Sequence, residues 1–124
     1  MDKLIKEAQT IQDFLDVTSS DDPAELSWRL SEINTYLARS GKMLADAKLL
    51  QDNAVAGIYA QHFKAIQKMP ATVVTKFIYA QCANENYLVN WLDRINRACV
   101  HQGDNIRTQV SFAKEDMSLT RKGY

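Results

Sequence analysis

Apolar residues return along this chain in steps of three and four, the spacing of one face of an α-helix. Leu4, Ile5, Ala8, Ile11, Phe14 and Leu15 share such a face and predict a first helix over residues 2–17, within an N-terminal segment 1–18. "TSSDDP" breaks the pattern, and its end has the marks of a new helix start: Asp22 suits an N-cap, Pro23 the first helical position and Glu25 the first turn. From Pro23 to Lys68 no residue forces a stop. The row Leu26, Leu30, Ile33, Leu37, Ser40, Leu44, Ala47, Gln51, Ala54, Ile58 has the alternating steps of a coiled-coil seam. At 1.5 Å per residue, a helix over 23–68 would be roughly 65–70 Å long. Small residues in this row allow close approach of a neighbouring backbone, and Gly41 marks a place where the helix could kink.

"KMP" ends that helix, because the residue before a proline resists the α region. Val73, Val74, Phe77, Ile78 and Cys82 predict a short helix over 71–82. "ANEN" reads as a loop in which Asn84 caps the next helix, expected over 85–117 with the seam Leu88, Leu92, Ile95, Cys99, Gln102, Ile106, Gln109, Ala113. Residues 118–124 read as a frayed tail. The whole, 1–124, is expected to be a single all-α domain: a long antiparallel hairpin, coiled-coil-like, with short accessory helices. Pairing its seams from the closed end sets Gln102 near Gln51 and Ala113 near Gly41. Trp28, Tyr36, Trp91 and Phe112 lie off the seams and need a first helix, a short helix or a second chain to cover them. A homo-oligomer is therefore expected.

Composition supports this and narrows the function. With only 4 Gly and 2 Pro in 124 residues, little of the chain is punctuated by turns. Lys plus Arg and Asp plus Glu each total 15, so the formal net charge is zero. Non-specific nucleic-acid binding, which rests on excess cationic charge, is not expected. Cys82 and Cys99 have no metal-ligand spacing and fall on apolar helical positions, which reads as two reduced core thiols. The amphipathic, acidic start is not a signal peptide, and no apolar run approaches the ~20 residues of a membrane span. The expected setting is the cytoplasm, with no membrane partner.

No nucleophile elbow, phosphate loop, zinc-protease or paired-cysteine motif occurs, so neither an enzyme nor a cofactor or metal site is expected. "SGK" at 40–42 lacks the other glycines of a phosphate loop. His62 reads as a structural or surface histidine, and Arg39, Lys42 and Lys48 as a basic patch that antiparallel packing would bring toward Lys114. The segment with the richest chemistry is "NRACVHQGDNIRT", 96–108. Arg94, Arg97, His101, Asn105, Thr108 and Ser111 recur on one helix face, and Arg107 and Lys114 form a neighbouring row. Arginine offers planar paired donors to phosphate or carboxylate, and histidine and the amides add further polar contacts. Tyr87, Trp91 and Phe112 could stack on a base. These eight polar residues are the candidate ligand-binding set, expected at a subunit interface, for an anionic small ligand or a protein partner. The plainer alternative is a solvated face laced with local pairs, Asp93 with Arg97 and Asp104 with Arg107.

At "SGKMLADAK" (40–48) and "ENYLVNWLDRINRACVHQGDNIRTQVSFAKEDM" (85–117) the chain resembles short helical proteins encoded by phages and prophages of Bacteroides-like bacteria, over about residues 26–117. The resemblance implies a phage accessory protein in the cytoplasm of the bacterial host, and the absence of catalytic motifs favours binding over catalysis. It fits two roles: countering host defence by sequestering a nucleotide-type anion or a defence protein, or an accessory DNA-binding or adaptor role in phage recombination or replication. It carries no established functional residues with it.

Overall fold

The computed structural model describes residues 1–121, and these are helical, without a strand among them. Five helices succeed one another: α1 (Asp2–Asp16), α2 (Pro23–Gln61), α3 (Phe63–Gln67), α4 (Ala71–Gln81) and α5 (Ala83–Arg121). The start of α2 is as the sequence implies. Asp22 has extended backbone, its side chain accepts a hydrogen bond from the Glu25 N–H at 3.3 Å, and Pro23 occupies the first turn. α2 then runs through Gly41 unbroken.

α5 lies along α2, and cross-helix hydrogen bonds fix how. Arg29 meets Gln102 at 3.0 Å, Ser40 meets Asn96 at 3.1 Å, and Gln51 meets Asn86 at 2.7 Å. Partners descend along α5 as they ascend along α2, so the two helices run in opposite directions. Ile33, Met43, Leu92, Ile95 and Cys99 are buried between and beside them. α1 covers one side of this pair with Ala8, Ile11 and Leu15. Its Phe14 ring packs on Tyr36 at 5.0 Å, Trp91 Nε1 donates to Gln12 Oε1 at 3.0 Å, and Arg39 is ion-paired with Glu7. α1 therefore covers Tyr36 and Trp91, whereas Trp28 and Phe112 stay largely exposed.

Several expected boundaries shift, each for a local reason. The helix expected over 23–68 stops at Gln61, and His62 (φ −115°, ψ 23°) turns the chain into α3. The turn costs little hydrogen bonding, since the His62 N–H still reaches Ile58 O at 2.9 Å and its carbonyl accepts from Ile66. The imidazole meets Phe77 edge-on at 5.3 Å, which seats α4 against the end of α2. The "ANEN" loop does not exist. Cys82 (φ −103°, ψ 28°) alone separates α4 from α5, so Asn84 lies within a helix and caps nothing. Asn86 replaces the loop: its Nδ2 donates to Tyr79 O at 3.0 Å while its Oδ1 receives Gln51. The supposed tail is helical through Arg121, and Lys122–Tyr124 lie outside the described residues.

The register differs as well. Gln102 pairs with Arg29 rather than lying near Gln51, and Gly41 faces Asn96 rather than Ala113. Counting back from a closed end at 68 and 85 misplaces the partners because α2 outruns the start of α5. Its last turns are covered instead by α3 and α4. The expected α5 seam also drifts. Gln109 is exposed and Val110 takes its place, because a straight helix turns away from a strict heptad by about 20° per repeat.

Candidate functional site

The polar row on α5 does not converge on a point. Arg94, Arg97, His101, Asn105, Arg107, Thr108, Ser111 and Lys114 are all exposed. From 94 to 114 they extend about 30 Å along one convex helix. Arg97 is held by Asp93 at 3.1 Å, and Arg107 by Asp104 at 3.0 Å and by Asn34 at 3.2 Å. The Thr108 hydroxyl donates back to Asp104 O, as helical threonines commonly do. Arg94 borders a groove of about 370 Å³ with Asn90 and the tilted Tyr87–Trp91 pair, whose centroids are 5.9 Å apart. Lys114 lies instead with Met117, Ser118 and Arg121. The second basic patch is likewise paired off, Arg39 with Glu7 and Lys42 with Asp46 at 2.6 Å.

One member of the row, Asn105, reaches a different place. Where α1 ends and the chain turns toward α2, a cleft of about 280 Å³ opens between the turn and α5. Its polar lining comes from Asp16, Thr18 and Ser19 on one side and Gln102, Asn105 and Gln109 on the other. Leu15 and Ile106 add apolar wall, and Arg29 lies at its base. On the far side of the turn, Arg29 also borders a second cleft of about 310 Å³ with Glu25 and the exposed Trp28.

Arg29 is 6% exposed, the one charged residue in the buried core of the described chain. Its place follows from the packing of α1. Residue 29 stands one turn after Leu26 and one before Ile33, turned toward α1, so α1 lies over its stem. The guanidinium carbon is 4.6 Å from the centroid of the Phe14 ring, within cation–π range. Nη2 donates to Phe14 O at 3.3 Å and to Gln102 Oε1 at 3.0 Å. Gln102 Nε2 in turn donates to Leu15 O at 3.1 Å. The end of α1, which carries no basic residue in its last turn, thus receives a cation, a second donor for Phe14 O beside the Val17 N–H, and a side-chain donor for Leu15 O.

That docking does not exhaust Arg29. Its Nε is buried without a hydrogen-bond partner, and Nη1 makes no side-chain hydrogen bond among the described residues. No carboxylate among the described residues lies in salt-bridge range; its partners are two carbonyl oxygens and a ring. Burial without a counter-charge pushes its pKa below the ordinary arginine value, though arginine stays protonated regardless. A largely buried cation with donors to spare, bordering a polar cleft, is a strong place for an anion, since few water molecules compete for it. The seam pattern hides Arg29, which lies beside the seam rather than on it. The available signal is that Leu26, Arg29, Ile33 and Tyr36 form a second row, and an α1 needs such a row to pack upon.

Both thiols are buried at 1% exposure and desolvation pushes both pKa values up, with Glu85 adding to the effect at Cys82. Among the described residues no cluster of His, Cys, Asp or Glu could hold a metal ion, and no helix is long and apolar enough to cross a membrane. Comparison of the chain with protein-family models, with curated proteins and with solved structures found no match to any of them.

Proposed function

We propose that this protein is a non-catalytic binding protein that takes a small anionic group at Arg29, in the cleft closed by Gln102 and Asn105. The observation that carries the reading is a buried guanidinium with an unpartnered Nε and, among the described residues, no carboxylate within salt-bridge distance. A carboxylate or phosphate oxygen there would gain charge-assisted hydrogen bonds in a partly desolvated site. The thiols are too buried and too weakly acidic to act as nucleophiles, which supports binding over turnover. In the phage setting that the resemblance implies, such a protein acts in the host cytoplasm by sequestering an anion, the counter-defence role. The DNA-binding alternative needs a cationic track. Arg97 and Arg107 are each held by an aspartate, which weighs against it.

Self-association belongs to the same reading. The two antiparallel helices form a coiled-coil-like hairpin that α1 covers on one side only. Phe112, Tyr87, Tyr79, Leu49 and Phe63 are each more than half exposed, which supports a homo-oligomer.

The test of the site is isothermal titration with acetate and with inorganic phosphate at fixed ionic strength. Saturable binding of either is expected, weakened by Asn105→Ala and unchanged by Arg97→Ala or His101→Ala. Binding lost with Arg97→Ala but kept with Asn105→Ala would move the site to the α5 row and refute this one.

A further inference from the structure

Resting on that anion site, we infer that its ligand is a small zwitterion, an amino-carboxylate of the amino-acid type, rather than a nucleotide or free phosphate. The cleft holds two charged residues of opposite sign, Arg29 and Asp16. Its charges therefore cancel, and a doubly charged phosphate entering it would meet Asp16 as well as Arg29. A molecule with one carboxylate and one ammonium matches both.

Asp16 is the informative residue. It is the last residue of α1, where the macrodipole disfavours a carboxylate, and α1 has no basic residue in its last turn to offset it. The helix dipole therefore opposes an acid at that position, and the one local contact that offsets it is an i,i+4 hydrogen bond with Gln12. One of its oxygens accepts from Gln12 Nε2 at 2.8 Å, and the other makes no side-chain hydrogen bond among the described residues. An acid set against local preference beside a buried arginine is the kind of inconsistency that functional sites show. The second cleft repeats the pattern, with Glu25 beside Arg29, and there a multiply charged anion would again face a carboxylate. At about 280 Å³ the first cleft is at the small end for ligand sites, enough to seat a metabolite. The amides of Gln102, Asn105 and Gln109 offer donors and acceptors to the ligand's remaining polar atoms.

The ligand's carboxylate would take the free donors of Arg29, and its ammonium would take Asp16. Neutralising the ammonium by acetylation removes one charge-assisted contact and leaves the other.

Titration calorimetry on the full chain at pH 7 tests this, with the free L-amino acids, their N-acetyl derivatives, acetate and inorganic phosphate as probes. At least one free amino acid is expected to bind about tenfold or more tighter than its acetylated form and than acetate. Asp16→Asn should erase that difference while leaving acetate binding equal or stronger. Asp16 is exposed, so the variant keeps its helicity, which circular dichroism checks. Acetate or phosphate bound as tightly as every amino acid would overturn the zwitterion inference and leave the anion site standing. No binding of any probe would overturn both.

Discussion

Arg29 stabilises the fold and builds the cleft at once, and the two roles separate by substitution. Arg29→Ala strips a charged donor from Phe14 O and Gln102 and should cost about 1.5–3 kcal/mol in thermal or chemical unfolding. Gln102→Leu keeps the arginine on Phe14 O but removes its Gln102 acceptor and orphans Leu15 O, and should destabilise as well. If Arg29→Ala left the melting temperature unchanged, the docking role of Arg29 beneath α1 would be wrong. The cysteines make a second residue-scale expectation. Both are buried with raised pKa values, so a thiol reagent at neutral pH should leave them unmodified in the folded protein and react with both after denaturation. Glu7 sets a third. The hydrogen bond from Arg39 holds its carboxyl below the usual range, so the pair contributes stability above the unfolded carboxylate pKa. That contribution is lost as pH falls through the lower folded value. Glu7→Gln should therefore lose its disadvantage against the parent chain as the pH drops below about 4. A stability gap that persisted at low pH would contradict this.

At the scale of elements, α2 carries polar residues at 29, 40 and 51, each one three helical turns from the next. Each finds a partner on α5: Gln102, Asn96 and Asn86. Apolar seams tolerate sliding, whereas buried polar rungs do not, because every slipped register leaves them unsatisfied. The sequence made α1, the start of α2, the α2 seam and the α5 seam as far as Ile106 legible, since caps and periodicity are local signals. It also marked Gln51 and Gln102 as polar seam positions. Their partners were not legible, because those depend on where the chain turns. The turns at His62 and Cys82 have no glycine or proline to announce them. Packing against Phe77 and the hydrogen bonds of Asn86 hold them. Asn86→Leu should cost about 1–3 kcal/mol by leaving the Gln51 amide without its partner and taking from Tyr79 O the donor that it has besides the Cys82 N–H. Hydrogen exchange should then quicken at the α4–α5 junction before the middle of α5. Uniform quickening along α5 would argue against a local role.

Across the molecule, the apolar contacts of three helices converge on Leu92, Ile95, Ile33 and Met43, while the ends carry little core. Leu92→Ala should cost about 2–5 kcal/mol as a cavity at this centre. The candidate site sits off that centre, where α1, its turn and α5 meet. This is why linear spacing on α5 picked out Asn105 but not Arg29, whose neighbours come from residues 14–19 and 102–109. A site assembled from three segments leaves no local motif, whereas a row on one helix is easy to see and here is spent on pairs with Asp93 and Asp104. The most direct test of Arg29 as the binding centre is a nitrogen–proton correlation spectrum of the arginine side chains during titration with acetate. The buried Arg29 Nε–H should give a slowly exchanging resonance of its own. It should shift saturably while those of Arg94, Arg97 and Arg107 hold still. Saturable shifts on the α5 arginines with Arg29 unmoved would contradict Arg29 as the binding centre.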